Sequence, residues 1–436
     1  MIRRLYLAVL PVVILFACAG ALFGQSDIII DIYEPGTAKI KMGVPPFVKG
    51  SASSSLSLRA FGEEVAAVLR NDLAFTGLFE VYDSLPGRAN AGATEFAPLK
   101  EWIPTGVQSV VQGRYKWEGD KIRLECALFD VESETRIAGK YYTGTLRAMR
   151  RNAHRFADEI VYRYTGKRGI AHTKIAYVNQ KAGRKEIYIM DYDGYNSYRL
   201  TYENSITLSP DWSPDGKKMI FTSYRDRNPD VYMVDLEEKK YTRISGYIGL
   251  NIAPAFSPGG ETLALTLSKS GNPELYLLDL KSGDLTRLTR NSRVDTSPTW
   301  SPNGREIAFV SDRSGYPQIY IIDREGVNLR RLTYSGYNNT SPAWSPQGDK
   351  IAYVSMAKGM AEIHAIHPTG TALQRLTFNS GNEDPCWSPC GRYLAYSSGQ
   401  KGQRDVYLMR ADGSGKRRIT FGGGENMAPA WSPMGH

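Results

Sequence analysis

The chain has 436 residues, of which 42% are apolar and 23% are charged, proportions that are ordinary for a globular protein. The formal net charge is +9, but the basic residues are spread along the whole chain. Because no basic stripe with interleaved aromatic residues stands out, a solvated basic surface is favoured and nucleic-acid binding is not expected. The length allows two or three domains.

The first residues have the pattern of an export signal. Two arginines precede an apolar run, Leu5 to Phe16, which is shorter than the ~20 residues that a membrane-spanning helix needs. Small residues follow, so residues 1–24 are predicted to be a signal peptide. Cys18 leaves a lipoprotein interpretation open, although the residues before it fit that processing site poorly. We expect an exported protein with no membrane span.

Residues 25–167 are predicted to form a separate, small α+β domain. Residues 58–77 and residues 146–166 have apolar side chains at helical spacing, and Gly77 suits the C-terminus of the first helix. Strand-like runs joined by Gly-Asp and Glu-Ser turns lie between these two segments. No glycine-rich phosphate loop opens a helix in this domain.

One short pattern then recurs six times. Each copy has an aromatic residue, a proline two positions before it, Ser-Pro directly after it and a glycine four positions after it. The aromatic residues are Trp212, Phe256, Trp300, Trp344, Trp387 and Trp431, about 44 residues apart. Short runs rich in Ile, Val, Tyr and Phe lie between them, bounded by turn residues. A unit of this length with four short strands is one blade of a β-propeller.

The order of the repeats predicts how the ring closes. The first strand pattern, at Lys174, has no aromatic pattern before it, and the last aromatic pattern, at Trp431, has no blade after it. The C-terminal strand is therefore expected to complete the first blade, giving a six-bladed propeller over residues 168–436. The fold is expected to be mainly β, with the aromatic residues as wedges between blades.

A polar residue stands five positions before each aromatic residue. The set is Thr207, Asn251, Asp295, Asn339, Asn382 and Asn426. These residues should lie just before the innermost strands and surround one mouth of the central channel. Asx-type turns that lead into the strands are an equally good interpretation, and the two roles are compatible.

No catalytic, cofactor-binding or metal-binding set is expected. The six-fold polar set is mostly Asn, which is poor for acid–base chemistry, and no Gly-x-Ser-x-Gly elbow occurs. Cys126, Cys386 and Cys390 are too few for a disulfide framework. A local bridge or a metal pair at the last two cysteines stays open, although two unpaired thiols are favoured.

Several stretches resemble the TolB family, the periplasmic proteins of the Tol–Pal system of Gram-negative envelopes. They are "AHRFADEIVYRYTGKRGIAHTKIAYV" at the domain junction, "VVQGRY" and "LFDV" before it, and "APAFSP" and "APAWSP" in the propeller. The resemblance covers nearly the whole chain and includes the order of signal peptide, α+β domain and propeller. The junction stretch is much more specific than the propeller repeat, which many propellers carry.

The resemblance implies a non-enzymatic periplasmic protein, expected as a monomer, that supports outer-membrane integrity and invagination during cell division. It implies that the lipoprotein Pal binds at the propeller mouth, where Leu250, Ala253 and Thr296 would join the polar set. Leu250 stands where some family members have His. Other outer-membrane proteins are possible further partners.

The resemblance also implies that the inner-membrane protein TolA binds the mature N-terminal strand. That strand consists of Gln25, Ser26, Asp27, Ile28, Ile29, Ile30 and Asp31. An apolar strand that is either docked or released would couple the TolA site to the Pal site as a two-site switch. The alternative function is a propeller that binds peptidoglycan or another carbohydrate with no Tol role.

Overall fold

The computed structural model describes residues 38–50, 57–85, 96–379 and 381–435. The predicted signal peptide and the predicted TolA-binding strand, Gln25–Asp31, lie outside these ranges. Within them, no helix combines the length and the apolar character needed to cross a membrane.

The N-terminal part is a six-stranded sheet with two helices. Its elements are β1 (Ile40–Gly43), β2 (Val48–Lys49), α1 (Ser57–Thr76), β3 (Phe79–Tyr82), a 3-10 helix (Leu99–Thr105), β4 (Ser109–Glu118), β5 (Lys121–Asp130), β6 (Arg136–Gly144) and α2 (Leu146–Thr165). The strand order is β3-β1-β4-β5-β6, with β2 beside β4. β1 runs parallel to β3 and β4, whereas β4, β5 and β6 form an antiparallel meander.

The two helices bury their apolar faces in one core. Leu69 and Leu73 of α1 are fully buried with Phe156 and Ile160 of α2. This is the arrangement that the helical spacing in the sequence predicts. α2 ends at Gly166, whose left-handed φ of 64° lets its N–H reach the carbonyl oxygen of Tyr162 at 2.8 Å.

The rest of the described chain forms six four-stranded antiparallel blades. Blade 1 contains β7 (Lys174–Lys181), β8 (Arg184–Asp191), β9 (Tyr198–Arg199) and β30 (Glu425–Trp431). Blade 2 contains β10 (Thr207–Trp212), β11 (Lys218–Ser223), β12 (Asp230–Asp235) and β13 (Tyr241–Ser245). Blade 3 contains β14 (Asn251–Phe256), β15 (Thr262–Leu267), β16 (Glu274–Asp279) and β17 (Leu285–Arg287).

Blade 4 contains β18 (Asp295–Trp300), β19 (Glu306–Ser311), β20 (Gln318–Asp323) and β21 (Arg330–Arg331). Blade 5 contains β22 (Asn338–Trp344), β23 (Ile351–Ala357), β24 (Met360–Ile366) and β25 (Gln374–Arg375). Blade 6 contains β26 (Asn382–Trp387), β27 (Tyr393–Gln400), β28 (Gln403–Arg410) and β29 (Arg417–Arg418). The predicted fold class, a six-bladed propeller preceded by a small α+β part, is confirmed.

The last strand of the chain is the innermost strand of the first blade. β30 pairs antiparallel with β7, with Trp431 opposite Ile175, and the blade order is β30-β7-β8-β9. Residues from the two ends of the propeller sequence thus share one sheet. Backbone hydrogen bonds within that sheet close the ring.

The repeated aromatic residues are buried between blades, and their contacts alternate around the ring. Three indole Nε1 atoms donate to the backbone oxygen of an alanine in the preceding blade: Trp212 to Ala430 at 3.1 Å, Trp300 to Ala255 at 3.2 Å and Trp387 to Ala343 at 3.0 Å. In the other three, the backbone N–H of the aromatic residue donates to a side chain of the preceding blade: Phe256 to Asp211 at 2.9 Å, Trp344 to Thr299 at 3.4 Å and Trp431 to Cys386 at 3.2 Å. The contacts between neighbouring blades therefore alternate between two types around the ring.

The α+β part packs on one end of the propeller, over blades 1 and 6. Phe75 of α1 stacks on Tyr393, with ring centroids 5.0 Å apart, and its backbone oxygen accepts a hydrogen bond from Arg410 Nε at 3.2 Å. Phe75, Tyr393 and Trp431 belong to one buried cluster. Since each aromatic residue ends its innermost strand, this is the end away from the polar set.

Candidate interaction site

The six predicted polar residues begin the innermost strands, but their side chains do not line the channel mouth. All six are between 0% and 3% exposed. This corrects the expectation that these side chains surround the mouth as an open surface. Five of them, all except Thr207, form hydrogen bonds with buried or half-buried partners within the described residues.

Hydrogen bonds to the entering loops and to the preceding blade accompany this burial. Asn251 Nδ2 donates to the backbone oxygen of Tyr247 at 2.6 Å, and its Oδ1 accepts from Tyr247 N at 3.0 Å. Asn339 Nδ2 donates to Gln318 Oε1 and to the backbone oxygen of Ser335, both at 2.8 Å. These contacts agree with the turn interpretation, in which the amide fixes the loop that enters the strand.

A second six-fold set of buried polar residues, missed in the sequence, secures the outermost strands, and three of its members also bond the first set directly. It comprises Glu186, Asp230, Glu274, Gln318, Glu362 and Asp405. In blade 3, Glu274 accepts hydrogen bonds from Thr289 Oγ1 at 2.6 Å, Arg287 at 3.0 Å and the backbone N–H of Asn291 at 2.8 Å. The signal that could have found it is the recurring Arg-x-Thr of the outermost strands, at the same spacing as the aromatic residues.

Each innermost strand carries a bulge at its entrance. The bulges contain six non-glycine residues with left-handed φ between 47° and 55°: Ser209, Ala253, Ser297, Ser341, Asp384 and Ala428. Strand pairing is interrupted there in every blade. A left-handed non-glycine residue costs roughly 1 kcal/mol or more, so the fold maintains this shape against local preference.

The three residues added by the family resemblance differ from the polar set in accessibility. Leu250, Ala253 and Thr296 are all half-buried. The N–H of Leu250 donates to Ser268 Oγ at 2.8 Å, while Thr296 Oγ1 lies 3.3 Å from Thr266 Oγ1 in the neighbouring blade. Their neighbour Ile248 is 96% exposed, the highest value among the large apolar residues that the structure describes, and sequence reasoning did not single it out.

Exposed aromatic side chains stand on the loops that follow five of the outermost strands, and we call them the aromatic rim. They are Tyr202, Tyr247, Tyr334, Phe378 and Phe421, between 40% and 75% exposed. Cations lie over their rings: Arg199 over Tyr202 at 4.4 Å, Lys269 over Tyr247 at 3.9 Å, Arg331 over Tyr334 at 4.9 Å, Arg375 over Phe378 at 4.9 Å and Arg418 over Phe421 at 5.3 Å. These contacts hold the rings in fixed positions. Four of the five follow the Arg-x-Thr signal directly in the sequence.

The loops around the same mouth carry more cations than acids. The cations are Arg225, Arg227, Lys269, Arg290, Arg293, Arg313, Lys358 and Lys401. The acids are Glu203, Asp226 and Asp312. The mouth away from the α+β part is therefore apolar at its rim and positive in net charge.

The other end of the innermost strands contains one unusual carboxylate. Asp211 stands where other blades have Ala, Thr or Cys, and its Oδ2 accepts the hydrogen bond from Phe256 N. Burial raises the pKa of Asp211 to about 7, against the opposing effect of backbone hydrogen bonds. The carboxyl group is therefore protonated in the folded protein at a pH where it is ionised in the unfolded chain.

Replacing Asp211 with Asn should remove a pH-dependent loss of stability. Because the folded pKa lies above the unfolded one, wild type should lose up to about 1.4 kcal/mol per pH unit relative to the variant between pH ~4 and pH ~7, and nothing further above that. Urea unfolding at several pH values measures this difference. Asp215→Asn is a control of opposite sign, since hydrogen bonds from Ser213 lower the pKa of Asp215. A pH-independent difference for Asp211→Asn would contradict the prediction.

Among the described residues, one group of His and Asp side chains is compact enough to be considered for a metal ion: Asp72, His154 and Asp193. Asp72 already accepts hydrogen bonds from Tyr192 at 2.5 Å and from His154 at 2.7 Å, and Asp193 pairs with Arg150. With a guanidinium beside it and its oxygens engaged, the group fits a hydrogen-bonded cluster better than a metal site.

The three cysteines of the described residues are free thiols. Cys126 is buried in the α+β part, and Cys386 and Cys390 are half-buried in blade 6. Cys386 Sγ accepts the hydrogen bond from the backbone N–H of Trp431. It therefore takes part in the alternating contacts between blades.

The fold defines a class of proteins in which a small α+β domain precedes a six-bladed β-propeller. A family model described as the TolB amino-terminal domain matches residues 28–137, and one described as the TolB beta propeller domain matches residues 161–435. The second match alone covers more than half of the chain. The chain belongs to the TolB family.

Individual relatives agree with this assignment. A "Tol-Pal system protein TolB" from Geobacter sulfurreducens is 39% identical over 215 residues, 49% of each chain. The protein of the same name from Syntrophotalea carbinolica is 40% identical over 207 residues, 47% of each chain. The chain thus spans about half the length of the curated relatives it matches. The crystal structure of TolB from Acinetobacter baumannii is similar over 91% of this chain and 97% of that one, with a TM-score of 0.79 and 28% identity.

Proposed function

We propose that this protein is a non-enzymatic, periplasmic component of the Tol–Pal system. It binds the lipoprotein Pal at the propeller mouth and TolA through its mature N-terminal strand. In this role it supports outer-membrane integrity and invagination during cell division. Membership of the TolB family supports the proposed role in the Tol–Pal system. The aromatic rim is the observation that supports a Pal-binding site at the propeller mouth.

The rim has the composition of a protein-binding surface. Aromatic and arginine side chains dominate the energy of protein interfaces, and exposed apolar groups of this size on a folded protein commonly mark a contact site. The excess of cations suits a partner with an acidic surface, because charge complementarity raises the association rate and specificity. The buried polar set contributes indirectly, since it fixes the loops that carry Ile248 and Leu250.

A substitution at the most exposed apolar residue of the mouth tests the Pal site. Ile248→Asp should weaken Pal binding by about tenfold to a hundredfold, because it removes apolar contact area and places an acid opposite an acidic partner. Calorimetric titration of the mature chain with Pal measures the dissociation constant.

A matched control is available at the opposite end of the propeller. Val327 lies in the turn between β20 and β21, on the side of the α+β part, and is 56% exposed. Val327→Asp should leave Pal binding unchanged. Equal affinities for wild type and Ile248→Asp would refute the proposed site, and an equal loss in both variants would point to a general effect of the added charge.

The alternative function, binding of peptidoglycan or another carbohydrate, also has an observation in its favour, because exposed aromatic faces stack on sugar rings. A pull-down from envelope extract separates the two functions. Recovery of Pal with the protein supports the Tol–Pal role. Retention on purified peptidoglycan without Pal supports the carbohydrate role.

A further inference from the structure

A buried histidine lies between two carboxylates where the α+β part meets the propeller. His154 of α2 is 2% exposed. Its Nδ1 lies 2.7 Å from Asp72 Oδ2 on α1, and its Nε2 lies 3.6 Å from Asp193 Oδ2 in the turn after β8. Asp72 belongs to the α+β part and Asp193 to the propeller, so the imidazole ring connects the two parts.

The geometry fits the imidazolium better than either neutral tautomer. An imidazolium has two N–H groups and can direct one at each carboxylate, whereas a neutral ring has one N–H and one lone pair. A neutral ring protonated on Nδ1 would turn the Nε2 lone pair toward Asp193. Nε2 has no hydrogen-bond partner among the described residues, so this ion pair is its remaining interaction. Loss of one proton therefore removes the attraction between the ring and Asp193, one of the contacts that cross the domain junction.

Some neighbouring groups favour the protonated form of His154 and others disfavour it. Burial disfavours the imidazolium, but the carboxylates of Asp72 and Asp193 more than offset this effect, and the pKa of His154 is raised. Arg150 on α2, which pairs with Asp193, opposes the charge. Burial also raises the pKa of Asp72, while the hydrogen bonds from His154 and Tyr192 act against that change.

Other contacts at the junction carry no such dependence. The guanidinium of Arg417 on β29 lies over the rings of Phe75 and Tyr192, 3.8 and 5.2 Å from their centroids. Arg410 holds the backbone of Phe75. Because these contacts stay in place when His154 loses its proton, deprotonation should loosen the junction without separating the two parts.

We propose that His154 is a pH-dependent latch that strengthens the attachment of the α+β part to the propeller in its protonated form and loses its own attraction to Asp193 when it is neutral, while Arg150 stays paired with Asp193. The sign follows from the raised pKa of the folded state. The stabilisation is fully present below the unfolded pKa of His, about 6.5, and is lost as the pH rises through the higher folded value. The latch rests on the domain junction alone and does not depend on binding of Pal or TolA.

Hydrogen exchange of the full mature chain tests the latch. After correction for intrinsic rates, amides of residues 191–195 and 72–77 should exchange at least about tenfold faster at pH ~8.5 than at pH ~6 in wild type. In His154→Gln and Asp193→Asn the exchange should be fast at both pH values. His367→Gln is the matched control, because His367 lies in blade 5 and contacts Thr369, and it should keep the wild-type response.

Two results would overturn the proposal. One is a pH response in Asp193→Asn that equals the response of wild type. The other comes from wild type alone, so it remains decisive if His154→Gln fails to fold. The nitrogen NMR spectrum of His154 should show two protonated ring nitrogens at pH ~6.5, and a neutral ring at that pH would refute the latch.

Discussion

Removal of residues 25–32 is expected to abolish TolA binding and to change the affinity for Pal. The segment contains the apolar run of the predicted TolA-binding strand, Ile28, Ile29 and Ile30. A strand that adds to a partner's sheet edge supplies both the backbone hydrogen bonds and the side chains of the contact, so its loss leaves no secondary anchor. We expect the dissociation constant for TolA to rise more than about a hundredfold.

The same truncation tests the coupling between the two sites. If the strand also docks on the body of the protein, its removal should change Pal affinity by about fivefold or more, because coupling free energies are typically 1–3 kcal/mol. Titrations of both partners with the mature and truncated chains measure the two effects. Ser26→Ala keeps the apolar residues and serves as the control. Persistent TolA binding together with unchanged Pal affinity would show that the two-site switch is wrong.

The architecture of the propeller could be predicted because its determinants repeat within one chain. The aromatic residue, the two prolines and the glycine recur at nearly constant spacing, and each mark has a local physical role. Gly304, for example, has φ of 69°, a left-handed value that glycine adopts without strain in the turn after Trp300. Once the periodic strands and turns are recognised, the number of blades is the main unknown of the architecture, and the number of repeats gives it directly.

The orientation of the polar set could not be predicted in the same way. Spacing places Asn339 at the entrance of a strand, but it does not say whether the side chain faces the channel or the blade. That choice depends on Gln318, which comes from the preceding blade and meets Asn339 only when the two blades pack against each other. The repeated proline directly follows the left-handed residue of each bulge and is compatible with a bulge, but it does not by itself predict the unfavourable φ.

The cluster of side chains at the domain junction was harder still to predict from the sequence. Asp72, His154 and Asp193 come from two helices and a propeller turn, and although His154 lies in the junction stretch, no repeat or spacing relates the three residues to one another. The aromatic rim is an intermediate case. Its members follow a repeated signal, yet exposure of Tyr334 or Phe378 becomes evident only when the loops are placed in space.

Glu274→Ala is expected to lower the free energy of unfolding by about 3 kcal/mol. Glu274 is fully buried and accepts hydrogen bonds from Arg287, Thr289 and the backbone of Asn291. Alanine would leave these donors without their shared acceptor, and the cost of an unpaired buried donor exceeds the net value of the bond itself. Urea unfolding followed by tryptophan fluorescence measures the loss.

The chain itself supplies the control, because blade 4 has Gln318 at the position of Glu274. Gln318 Oε1 accepts from Thr333 Oγ1 and from Asn339 Nδ2, both at 2.8 Å, so a neutral acceptor is sufficient in that blade. Glu274→Gln should therefore cost less than about 1 kcal/mol, and the exposed Glu238→Ala less than about 0.5 kcal/mol. Equal losses for Glu274→Gln and Glu274→Ala would show that the negative charge, rather than the acceptor, holds the outermost strand of blade 3. In that case the outermost strand would depend on a charged acceptor in blade 3 and on a neutral acceptor in blade 4, although the sequence repeat has the same spacing in both blades.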